Sequence, residues 1–195
     1  TRKFGLPASS CLATLVFERF IGLIVLCSIS AVTISFVENW EFKEFNWIIQ
    51  IIPIIGVIIF LLILFLPIAR PFGINFQSTF VESFMKIIHD SKQDPSKLAV
   101  ILLISGITQF LELLIIYIIL INLGAAISLL SVLAVGSLVM IVSAIPVSLS
   151  GWGVREGAMI IAFSSLEIPD SIAAICGLVF GSLVLIFSLP GIIMA

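Results

Sequence analysis

The chain has 195 residues, of which 61% are hydrophobic and only 10% charged, with a formal net charge of −2. An average soluble domain is about 25% charged. Nine basic and eleven acidic side chains cannot cover a soluble surface at a mean hydropathy of +1.35. The composition excludes an ordinary soluble domain and a disordered chain, and it predicts an all-α integral membrane protein.

A membrane-spanning helix needs about 20 mostly apolar residues. Five stretches qualify: Phe20 to Val37, Ile48 to Ala69, Leu98 to Ile121, Leu123 to Ile145 and Ser171 to Ala195. Glu112 interrupts the third; the other four carry no charge. None alternates polar and apolar residues, so a β-barrel is excluded and helices satisfy the backbone. The sixth apolar piece, Gly157 to Leu166, is too short to cross. It follows a cluster of breakers and precedes Glu167, Pro169 and Asp170. A broken or re-entrant half-helix is expected there. The predicted architecture is a polytopic helical bundle forming one domain over 1–195. It has about five full spans, one half-helix and one interfacial amphipathic helix.

Basic residues set the orientation. Arg2 and Lys3 lie at the N-terminus, and Arg70, Lys86, Lys92 and Lys97 lie in the loop 70–97. Segment 38–47 carries three glutamates and one lysine, with Trp40 and Trp47. The N-terminus and the 70–97 loop are therefore expected in the cytoplasm. Within that loop, Thr79 and Glu82 form a capping-box pattern. Phe80, Phe84, Ile87 and Ile88 then recur with helical spacing, widened by Val81 and Met85. This amphipathic helix either lies in the interface or packs on the spans through the same face. His89 is read as a solvated or headgroup-level residue. Cys11, Cys27 and Cys176 stand in apolar stretches and read as small core residues.

Ionisable groups are costly inside a bilayer, so those in the spans are the functional candidates. Glu18 and Arg19 are adjacent, hence about 100° apart on a helix. Each needs another partner or snorkels to the interface. Glu112 is either held neutral by apolar surroundings or paired with a cation such as Arg19 or Arg155. Gln109, one turn earlier, extends a polar seam. The third place is Ala144 to Gly157. Pro146 breaks the preceding helix. Ser148 and Ser150 can bond the freed backbone groups or a substrate. Gly151 and Gly153 allow backbone conformations that other residues avoid. Arg155 and Glu156 then open a helix, whose N-terminus offers free N–H groups and a positive dipole end. An arginine there suits a phosphate, because its planar fork grips two oxygens. Gly177 and Gly181, four residues apart, suit close helix packing, within the chain or in a homodimer.

The element Pro146-x-Ser148-x-x-Gly151-x-Gly153-x-Arg155-Glu156 resembles the transmembrane region of lysylphosphatidylglycerol synthases. This is the flippase-like membrane domain of the multiple peptide resistance factor and of stand-alone bacterial and archaeal relatives. Glu18-Arg19-x-x-Gly22-Leu23 fits the family's (D/E)-R-x-x-G-L pattern, and the order of segments fits over most of the chain. Family members carry further spans before that pattern, and the chain begins at Thr1 rather than Met. A C-terminal part of a longer flippase-like domain is expected. No aminoacyl-transferase domain follows Ala195, so the resemblance does not extend to lysyl transfer. It implies movement of a phospholipid or lipid-linked group between leaflets of a bacterial or archaeal cell membrane. Arg155, Glu156, Arg19, Glu18 and Glu112 are the substrate-site candidates.

Two other functions compete. One is a non-transporting partner of a lipid-modifying or glycosyl-transferring membrane enzyme, acting through the amphipathic helix. The other is an ion-coupled small-solute transporter working through Glu112. The sequence has no P-loop, dinucleotide fingerprint, metalloprotease motif or nucleophile elbow. With one histidine and no basic patch, no enzyme activity, metal, cofactor or nucleic acid is expected.

Overall fold

The computed structural model describes residues 8–37, 83, 84, 86, 87, 89, 93–144 and 153–194. Among the described residues the regular elements are all helical. The helices are α1 (Ala8–Thr33), closed by a 3-10 turn (Ile34–Phe36), α2 (Pro95–Asn122), α3 (Leu129–Ser143), α4 (Val154–Ser164) and α5 (Asp170–Met194). Three of them, over Ala13–Phe36, Pro95–Asn122 and Asp170–Ser188, are long and apolar enough to cross a bilayer. The predicted span 48–69 and the Thr79–Glu82 cap lie outside the described residues.

The apolar run Leu123 to Ile145 is not one span, contrary to expectation. Gly124 adopts φ +87°, a conformation that only glycine enters without strain. Ala125 N–H then reaches back to the Leu120 carbonyl (3.0 Å) and Gly124 N–H to that of Ile121 (3.1 Å). This pair of bonds closes α2. Residues 125–128 are non-helical, and the Ser128 hydroxyl accepts from Ser131 N–H (3.1 Å) to start α3. What remains, Leu129–Ser143, falls below the length of a span.

Within α3, Val132–Gly136 widens into a π-helical turn. All of it but Leu133 is buried. Gly136 makes room there: a Cβ would lie 3.1 Å from Leu113 Cδ2 on α2 and 4.0 Å from Phe163 Cζ on α4. Around this point the core closes, with Leu113, Ile116 and Leu120 of α2 against Val135 and Val139 of α3. Met159 and Phe163 of α4 and Cys176 of α5 complete it. Cys27 and Cys176 are buried, as packing residues should be.

Phe36 and Val37, Ser128 and Ser131, and Glu167 line one open depression of about 410 Å³. The end of α1, the start of α3 and the end of α4 therefore share one end of the bundle. From there α3 runs inward, α4 returns, and α5 leaves again. The turn between α4 and α5 places Glu167 at φ +60°, uncommon for a residue with a side chain. Ile168 N–H bonds the Phe163 carbonyl (3.2 Å) and buries its side chain beneath the turn.

At the opposite end of α1, helical residues within 83–93 dock on the bundle. The Phe84 ring meets Phe17 edge-on, with centroids 6.4 Å apart, and Ile87 joins the cluster of Phe17, Ile21 and Ile101. Of the two readings of the amphipathic segment, packing on the spans is the one observed for these residues. His89 is exposed and shares a hydrogen bond with Gln93 (2.9 Å). Asp94 then caps α2, with Pro95 in the first turn. Its hydrogen bonds with Lys97 hold the Asp94 carboxyl below its ordinary range.

Phe163 is fully buried where α2, α3 and α4 meet. Phe163→Ala should cost about 3–5 kcal/mol, read as a markedly lower melting temperature in detergent. Ile161→Ala, at an exposed position of the same helix, should leave the melting temperature nearly unchanged.

Candidate functional site

The site begins with a helix start. Gly153 has φ +85°, and α4 follows it directly. Glu156, in the first turn, folds back so that its Oε2 accepts the Gly153 backbone N–H. Its Oε1 lies 3.4 Å from Nη2 of Arg155. One carboxylate therefore serves the helix end and the guanidinium together, as the sequence suggested.

Arg155 is buried, with 6% of its surface exposed. A buried cation needs a partner, because removing charge from water is expensive. The guanidinium carbon stands 5.5 Å from the centroid of the Phe180 ring. A cation over a ring gains about 0.5–2 kcal/mol. Beside the ring is Gly181, where an added Cβ would overlap Arg155 Nη2 and lie 3.1 Å from Cζ. One turn away, a Cβ on Gly177 would lie 3.2 Å from both Cα and Cγ of Glu156. The two glycines thus bring α5 against the first turn of α4. Of the two packings left open by their spacing, the intramolecular one is formed. Among the described residues, Arg155 Nε has no hydrogen-bond partner. The contact falls near the middle of α5 (Asp170–Met194), far from either helix end.

A second polar group lies between α1 and α2. A Cβ at Gly22 would stand 2.9 Å from Gln109 Nε2 and 3.9 Å from Ser105 Oγ. The glycine of the Glu18-Arg19-x-x-Gly22-Leu23 pattern is what admits the Gln109 amide. Gln109 Oε1 is buried without a partner among the described residues. Arg19 acts electrostatically on the half-buried Glu112. Among the described residues Glu112 forms no ion pair with either of the cations considered for it. Glu18 and Arg19 are themselves exposed.

The candidates therefore form two groups, Arg155 with Glu156 on the α4–α5 seam and Arg19 with Glu112 on the α1–α2 seam. Among the described residues they share no hydrogen bond or ion pair. Pro146, Ser148, Ser150 and Gly151 lie outside the described residues. Phe180 was not singled out in the sequence; its position one residue before Gly181, on a glycine-spaced helix face, was the available signal. The π-helical turn left none.

The long apolar helices, with a buried arginine between two of the elements, define a multi-pass membrane protein of the helical class. The lysylphosphatidylglycerol synthase TM region, as a family, matches residues 1–191. The chain belongs to that family, as the resemblance implied. No curated protein and no solved structure matches it.

The two glycines of α5 separate packing from function. Gly177→Val presses on the Glu156 backbone, so α4 and α5 must part, at a cost of about 1–3 kcal/mol. A lower melting temperature in detergent is expected. Gly181→Ala meets only the flexible end of Arg155. The melting temperature should change much less, while the guanidinium moves off the Phe180 face.

Proposed function

We propose that this chain is a flippase-like translocase that moves a phospholipid or lipid-linked group between bilayer leaflets. The observation that carries the reading is Arg155. It is buried near the middle of α5 at the N-terminus of a helix, with its Nε unpartnered. A phosphate crossing the membrane needs a positive field and hydrogen-bond donors at depth. A guanidinium supplies both, and the helix N-terminus adds its dipole and free amides.

On this reading α3 and α4 form a re-entrant pair. Each is shorter than a span, and α4 returns to the end from which α3 departed. Irregular backbone at membrane depth is sustained where it is buried in protein or lines a cavity. Arg19 and Glu112 form a second polar step between α1 and α2, with Glu18 at its edge. The protein works without catalytic chemistry of its own, in the cell membrane of a bacterium or archaeon. Its N-terminus and 70–97 loop face the cytoplasm. Its partner is the lipid. A role as anchor for a membrane enzyme draws less support, because Phe84 and Ile87 of the amphipathic segment pack on Phe17, Ile21 and Ile101.

The test is headgroup translocation of a fluorescent phospholipid in proteoliposomes. Arg155→Ala should lower the rate at least about tenfold, as loss of a charge-assisted bond requires, with an unchanged elution profile and helical content. Arg155→Lys should restore part of it, since lysine keeps the charge without the fork. Wild-type rates from Arg155→Ala overturn the assignment.

A further inference from the structure

The Arg155 guanidinium does not face an open site in this conformation. Glu156 already occupies it. Oε2 of Glu156 takes the Gly153 N–H at the helix start, and Oε1 stands 3.4 Å from Arg155 Nη2. These are the two kinds of group a phosphate would seek there: a backbone donor at a helix N-terminus and a guanidinium. A carboxylate carries two oxygens and one negative charge, as one face of a phosphodiester does. The Glu156 side chain is only 14% exposed, and its Cγ lies in the gap left by Gly177. It holds its place by packing as well as by charge.

We infer that Glu156 is an internal occupant of the anion site, a carboxylate that a phosphate must displace before Arg155 can bind it. The inference rests on reading Arg155 as the phosphate ligand. The exchange conserves charge: one anion leaves the guanidinium as another arrives, so the buried cation is never left alone. It also sets affinity. A site without an occupant would hold its phosphate tightly and release it slowly. A site whose own carboxylate competes for the same donors binds weakly and releases readily, as a translocation step requires. Glu156 engages only Nη2, and the buried Nε of Arg155 has no hydrogen-bond partner among the described residues. A phosphate can reach for it first, before the carboxylate has left. Glu156 thus sets how tightly the site holds any anion, without choosing among anions.

The experiment is equilibrium binding to the full chain in detergent micelles. The two probes are short-chain phosphatidylglycerol, as a lipid phosphodiester, and inorganic phosphate. Glu156→Gln keeps an acceptor for the Gly153 N–H and removes the charge. It should bind the lipid about tenfold more tightly than wild type, the worth of one competing charge-assisted bond. It should also release the lipid more slowly. Glu156→Asp keeps the charge and should stay near wild-type affinity, which separates competition from any change in fold. Arg155→Ala should bind neither probe. Lipid binding that depends on Arg155 but is equal in wild type and Glu156→Gln overturns this inference alone. Binding that ignores Arg155 overturns the phosphate reading itself. Tightening for inorganic phosphate without the lipid supports the competing carboxylate and removes the lipid as its target.

Discussion

One constraint organises this molecule: a guanidinium is held inside an apolar bundle. Arg155 is nearly as buried as the apolar residues of the core. A cation in that position is stable only if its surroundings supply what water did. Here they supply a carboxylate one residue away, an aromatic face and a glycine that leaves space. Each comes from a definite feature of the sequence. The carboxylate is placed by the helix start at Gly153, and the ring and the gap by consecutive positions of α5.

The breaks in the helices follow from the same need. A straight span would put Arg155 in lipid or force it to an interface. Starting a new helix at Gly153 instead puts the residue in the first turn, where Glu156 can fold back over the helix end. The short α4 must then be supported on every side. At the π-helical turn of α3, Gly136 lets Leu113 of α2 and Phe163 of α4 close in around it. Gly177 lets α5 approach its backbone. The fold gives up long uniform helices here and gains a helix start packed against protein.

Much of this was legible in the sequence because charges were so few. Arg155 and Glu156 stood out against an apolar background, and the Gly177 and Gly181 spacing announced close packing. The polar seam of Gln109 and Glu112 could be read from helical periodicity. The end of α2 was missed for the opposite reason. Leu123 to Ile145 is uniformly apolar, and hydropathy hid the stop at Gly124 and the start at Ser128. Those two residues carried the signal through backbone geometry, to which hydropathy is blind. The amphipathic segment was ambiguous in principle. The same apolar face of Phe84 and Ile87 suits lipid or protein, and only the position of Phe17 decides between them. Phe180 and the π-helical turn belong to tertiary packing, where neighbours rather than local sequence determine the outcome.

The two seams use a common device. On α1, Gly22 faces the amide of Gln109; on α5, Gly181 faces the guanidinium of Arg155. In each, a helix gives up a side chain so that a long polar one from its neighbour can lie flat against backbone. A polar side chain that lies between helices in this way is shielded from lipid. In each seam one polar atom also stays unpartnered, Gln109 Oε1 and Arg155 Nε. Buried polar atoms are normally satisfied, so two such atoms among the described residues, each on a side chain that lies against a glycine, form a pattern. A larger side chain at either glycine would close its gap and displace the polar group beside it. Keeping both gaps leaves hydrogen-bonding capacity at two points between the helices, which is what a polar headgroup would need along its path.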